Sequence, residues 1–179
     1  MHDWNVVIST HEGRYREAWR FLQEFGPLAK TDFFNILVMR VTDIPGTLEM
    51  VREKMGREPE GKSFVSRFMP LDRCFTFQNP AEFEEKSKEV VSGWVPELSG
   101  RSFHVRMHRR GFKGKMSSME EEKILDEYLL NTLQEAGTPG RISFEDPDFI
   151  IAAETAGPRA GFSIWTREEL ARYPFLHLD

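Results

Sequence analysis

A chain of 179 residues with 40% hydrophobic and 12% aromatic content has enough apolar material for one domain or two small ones, and its composition is not that of a disordered chain. Its formal net charge of −5, from 24 Lys and Arg against 29 Asp and Glu, argues against wholesale binding to a polyanion but leaves room for a local basic face. No apolar run nears the roughly 20 residues that span a bilayer, and "MHDWNVVIST" lacks the basic start and long apolar stretch of a signal peptide.

In chain order, "WNVVIS" (Trp4–Ser9) has the β-branched content of a strand. Tyr15, Ala18, Trp19, Leu22 and Phe25 recur at helical spacing until Gly26 and Pro27 stop the helix. "FFNILVMRV" (Phe33–Val41) reads as a second, largely buried strand. Asp43 caps a helix that carries Ile44, Leu48, Val51 and Met55 on one face, and "REPEG" breaks it. Lys62–Phe77 contains strand pieces interrupted by Pro70. The lone cysteine, Cys74, lies there in "DRCFTF" as a structural thiol; with no internal disulfide to form, the chain suits the reducing cytoplasm.

Asn79, Pro80 and Glu82 form a helix start of the capping-box kind, with Phe83, Ser87, Val90, Val91 and Trp94 on the inner face. "RSFHVRMH" follows as a strand. Its alternation sends Phe103, Val105 and Met107 to the core and Ser102, His104, Arg106 and His108 outward. Ser117 and Ser118 then precede Glu120 and Glu121 at capping spacing, and Ile124, Leu125, Tyr128, Leu129 and Leu133 stripe the next helix. "RISFE" and "FIIAAET" are strands, "AGPRAG" is a hairpin turn, "FSIWT" is its partner, and a short helix and tail close the chain. The order is βαβαβ, then αβαβββ, which predicts mixed sheets with helices on their faces. The best joint falls near Gln78 and Asn79.

The charge is segregated. Arg101 to Lys115 holds six Lys or Arg, two His and no acid. The plain reading is a solvated face. His104 and His108 share a strand face, but no further metal ligands accompany them. The sharper reading is phosphate contact: Arg106, Arg109, Arg110, Lys113 and Lys115 lie on a strand end and loop, where guanidinium groups fork onto phosphate oxygens. Phe112 sits among them, either packing under the loop or offering a ring to an unpaired base.

These residues carry a family resemblance. "FHVRMHRRGFKGKMSS", the amphipathic helix after it and "RISFEDPDFIIAAET" resemble the THUMP domain, the RNA-binding module of tRNA-modifying enzymes such as 4-thiouridine synthetases and some tRNA methyltransferases. The matching positions are Phe103, Val105, Arg106, Arg109, Arg110, Ser117, Ser118, Pro147 and Asp148. The preceding half is similar, by element order, to the ferredoxin-like domain that accompanies it. The resemblance implies an α+β chain: a ferredoxin-like N-terminal domain over 1–78 packed against a THUMP domain over 79–179. It further implies binding to the acceptor and 3′ end of tRNA through Arg109, Arg110 and Lys113, joined by Arg106, Lys115 and Phe112. Asp148 is expected to be structural.

No P-loop, no G-x-G-x-x-G and no Ser/His/Asp or Cys/His constellation stands out. The sequence expectation is therefore a non-catalytic, cytoplasmic tRNA-binding adaptor without cofactor or metal. It would present tRNA to a partner modifying enzyme, like the adaptor of the tRNA cytidine acetyltransferase. The rival readings are a protein-interaction module without RNA affinity, and an enzyme whose site gathers His11, Asp32 and Glu145.

Overall fold

The structure, a computed structural model, describes residues 1–178. The chain forms two compact units, one of Met1–Asp72 with the segment that starts at Leu170, the other of Arg73–Glu169. Each combines helices with its own sheet, so the fold is α+β.

The first unit contains β1 (Val6–Thr10), α1 (Tyr15–Leu22), β2 (Leu28–Lys30), β3 (Ile36–Met39), α2 (Ile44–Arg57), α3 (Gly61–Phe64) and β4 (Val65–Pro70). Its antiparallel sheet has the order β2-β3-β1-β4. Successive residues Val6, Val7 and Ile8 are all fully buried, so both faces of the central strand are covered. The Asn5 side chain closes the strand end, donating to the Val41 carbonyl at 2.9 Å and accepting from the Val41 N–H at 2.8 Å. The expected Phe33–Val41 strand is shorter. Asn35 takes a left-handed φ of 59° and Phe34 is 79% exposed, so this stretch is the turn between β2 and β3.

The Asp43 cap accepts from the Gly46 N–H at 3.1 Å, and Leu48, Val51 and Met55 face inward on α2. Lys54 is also turned inward, donating to the Phe21 carbonyl at 2.7 Å and pairing with Glu24. The segment after Leu170 belongs to this unit. Arg172 forks onto Glu49 at 2.7 and 3.0 Å, and Phe175 packs edge-on to Phe68. The Arg172 hydrogen bonds, with help from Tyr173, hold the Glu49 carboxyl down at about 2.

The second unit contains β5 (Arg73–Thr76), α4 (Pro80–Ser92), α5 (Val95–Leu98), β6 (Ser102–His108), α6 (Ser118–Glu135), β7 (Arg141–Ile142), β8 (Phe149–Ala156) and β9 (Arg159–Thr166). The sheet order is β5-β9-β8-β6-β7; β6 runs parallel to β7 and β8, and the other pairs are antiparallel. A parallel pair needs a long crossover, and α6 supplies it. Phe103, Val105, Met107, Ile151 and Phe162 form one sheet face, against which Phe83, Val91, Leu125, Leu129 and Leu133 of α4 and α6 pack. Asn79 accepts from the Glu82 N–H at 2.9 Å, while Glu82 accepts from the Gln78 N–H at 3.0 Å.

The opposite face of β6 departs from expectation. Ser102 and His104 are buried rather than turned to solvent, while Arg106 and His108 stay partly exposed. Ser102 is engaged by Asp148, whose carboxylate accepts from its N–H at 2.9 Å and its hydroxyl at 3.1 Å. The Asp148 N–H in turn donates to the Ser102 hydroxyl at 2.9 Å. This reciprocal clasp joins the start of β6 to the start of β8, which gives Asp148 its structural place. His104 loses hydration through burial, which pushes its pKa down.

Past the two-residue β7, the edge amides of β6 are taken by carboxylates on α6. Val105 donates to Asp126 at 2.9 Å and Met107 to Glu122 at 2.8 Å. Residues four apart on a helix share a face, so this pair covers an otherwise open strand edge. Burial pushes the Asp126 carboxyl up to about 7. Glu121, 3% exposed, is raised to about 8 by burial and by its hydrogen bond with Glu84.

These two raised carboxyls set a pH dependence. Each holds its proton more tightly folded than unfolded, so unfolding releases protons from the ordinary carboxylate range up to about 8. Stability therefore falls as pH rises through that window. Glu121→Gln is expected to flatten the upper part of the fall in urea denaturation at a series of pH values. A decline as steep in the variant as in the parent would contradict this assignment.

Candidate nucleic-acid interface

The basic segment leaves the end of β6 and is pinned to the β8–β9 hairpin. The Arg110 N–H donates to the Thr155 hydroxyl at 2.9 Å, and its carbonyl accepts from the Gly157 N–H at 2.9 Å. The chain then turns through left-handed φ values of 97° at Gly111, 55° at Phe112 and 79° at Gly114. A bulky residue at positive φ stores strain and needs compensating contacts. Phe112 has them. Its carbonyl accepts from the Lys115 and Met116 N–H groups at 3.0 and 3.1 Å, and its ring lies 4.9 Å from that of Phe77. Of the two sequence readings for this ring, packing under the loop is the one observed.

The basic side chains divide by environment. Arg110 has only 13% of its side chain exposed and sits 3.3 Å from Glu154, a fully buried carboxylate that also lies 3.5 Å from His108. Burial lowers the Arg110 pKa to about 10. Arg109 turns back to donate to the Gly111 carbonyl. Arg106 keeps 41% side-chain exposure and lies 3.7 Å from Glu122. Lys113 and Lys115 are exposed at the tip. The loop thus presents two lysines to solvent on a backbone held by Phe112 and Arg110, with Arg106 and Arg109 behind them. The anchors Phe77, Thr155 and Glu154 are distant in sequence, and no local pattern signals them.

No protein-family model matches the chain, and no curated protein sequence does. Solved structures do. PH1313 from Pyrococcus horikoshii Ot3 superposes with a TM-score of 0.59 at 11% identity, covering 92% of this chain and 55% of that one. TrmN from Thermus thermophilus gives 0.58 at 14%, covering 90% and 45%. A 4-thiouridine synthetase solved with RNA and ATP gives 0.52 at 13%, covering 92% and 42%. At these identities the likeness is one of fold. The chain spans roughly half or less of each of these proteins.

The expectation that the chain is not an enzyme is corrected by the same comparison. Other structures of this fold are described as a possible methylase from Clostridium difficile 630 and, for SMU.472, "a putative methyltransferase complexed with SAH". The missing Gly-rich loop was weak ground for that expectation, because the span compared is 40% and 41% of those two chains. Among the described residues, no helix is long and apolar enough to cross a membrane.

Proposed function

We propose that the chain is the tRNA-gripping part of a tRNA-modification system. In this reading the second unit is a THUMP-type domain and the first a ferredoxin-like domain. Together they hold the acceptor and 3′ end of a cytoplasmic tRNA and present it to the active site of a modifying enzyme. The β2-β3-β1-β4 order of the first sheet supports the ferredoxin-like part. The shared fold with a synthetase solved bound to RNA supports the RNA reading.

The observation that carries the proposal is the loop over residues 109–117. It is anchored by hydrogen bonds and a ring contact yet turns its lysines to solvent, in a chain whose net charge is −5. Such local positive charge suits a phosphate backbone. Lys113 and Lys115 are the leading contacts, Arg106 and Arg109 the flanking ones, and Arg110 and Phe112 shape the loop that places them.

Filter binding of full-length tRNA against tRNA trimmed at its 3′ end tests this reading. Trimming is expected to weaken binding about tenfold, or about 1.4 kcal/mol. Equal affinity for both would remove the 3′-end assignment. No affinity for either, alongside capture of a protein partner, would favour a protein-interaction module.

A further inference from the structure

The first unit holds a cavity of about 720 Å³ that plays no part in the basic loop. Its size falls in the range of roughly 300–1,000 Å³ that accepts small organic ligands. Met55, Val65 and Phe175 line it and are almost fully buried, which gives it an apolar floor drawn from α2, β4 and the segment after Leu170. Arg52 and Lys62, both exposed, bring positive charge from α2 and α3. His11 and His177 add two imidazoles. Among the described lining residues Glu53 is the sole carboxylate, against three cations, of which Arg172 is already forked onto Glu49.

One residue of the lining is a glycine that packing does not require. Gly56 lies inside α2, where glycine weakens a helix. A Cβ built there would meet nothing within 4 Å. A side chain there would enter open space rather than displace a neighbour.

An apolar floor beneath a cationic rim suits a ligand with a flat ring and an anionic group. Bare phosphate would leave the floor uncovered, and an uncharged nucleoside would draw nothing from the charges of Arg52 and Lys62. We propose that this cavity binds a nucleoside monophosphate, its base over Met55 and Phe175 and its phosphate between Arg52 and Lys62. That chemistry has two sources, a free nucleotide or one nucleotide of a single-stranded RNA. The site stands whether or not the loop over residues 109–117 binds tRNA.

Calorimetric titration of the full chain with AMP, adenosine, inorganic phosphate and a single-stranded tetranucleotide tests the site. Saturable binding of AMP below about 1 mM is expected, with adenosine and phosphate each weaker by about tenfold or more. Arg52→Ala/Lys62→Ala should lose about tenfold. Gly56→Leu should abolish binding by filling the cavity, while Gly56→Ala should keep binding and leave the melting temperature equal to or above the parent's. Tighter binding of the tetranucleotide than of AMP would support a strand nucleotide, and binding of AMP alone would support a free one. No saturable binding of either, or binding unchanged in a folded Gly56→Leu variant, would overturn the proposal. Lys113→Ala/Lys115→Ala should leave AMP binding intact, which separates this site from the tRNA reading.

Discussion

Arg110→Ala is expected to cost about 3–5 kcal/mol of stability, the range for removing one partner from a buried ion pair. The reason lies in Glu154, whose side chain is fully buried and whose carboxylate faces the Arg110 guanidinium at 3.3 Å. Removing the guanidinium leaves that negative charge in a low-dielectric place with less to offset it. The backbone bonds of residue 110 to Thr155 and Gly157 are kept by alanine, so the cost falls on the ion pair. Urea denaturation of the variant gives the number. Arg110→Met combined with Glu154→Leu should recover most of it, since a well-packed apolar pair can replace a buried ion pair. A single variant within about 0.5 kcal/mol of the parent, as for an ordinary surface change, would contradict this role.

The second large effect is on RNA. Lys113→Ala/Lys115→Ala is expected to weaken tRNA binding about a hundredfold at low salt, counting about 1.4 kcal/mol for each phosphate contact. Both side chains are exposed, so stability should stay within about 0.5 kcal/mol of the parent. The two lysines and Arg110 therefore separate in kind. Losing the lysines should cost affinity on an intact fold, whereas losing Arg110 should cost the fold first. A lysine variant that unfolds, or one that binds tRNA as the parent does, would contradict the division.

Much of the fold was legible because its signals are local. The caps at Asp43, Asn79 and Ser117 each accept from the N–H three residues on. The turn at Gly157, the apolar alternation of β6 and the apolar run of β8 also follow from residues close in sequence. What escaped depends on distant partners or very short elements. Three-residue β2 is an edge strand defined by its register with β3, too short for a periodic signal. The outward alternation of β6 was read correctly as geometry, yet Ser102 and His104 are buried on that face. Glu122 and Asp126 look like solvated helix charges until α6 is laid along the β6 edge, where they accept its amides.

The same contrast divides the candidate site. Six residues, Arg106, Arg109, Arg110, Phe112, Lys113 and Lys115, read alike as a basic run with an aromatic. Tertiary contacts separate them: Phe112 goes to Phe77, Arg110 to Glu154, and the lysines to solvent. The cavity of the first unit comes from four separate stretches of chain, so no motif announces it.

The most direct test of the central claim is a salt titration of tRNA binding by the full chain. Log Kobs should fall linearly with log salt, with a slope of about −3 if Lys113, Lys115, Arg106 and Arg109 each neutralise one phosphate of a single strand. Lys113→Ala/Lys115→Ala should roughly halve that slope. Binding that ignores salt, or a slope unchanged by the loss of both lysines, would contradict the account.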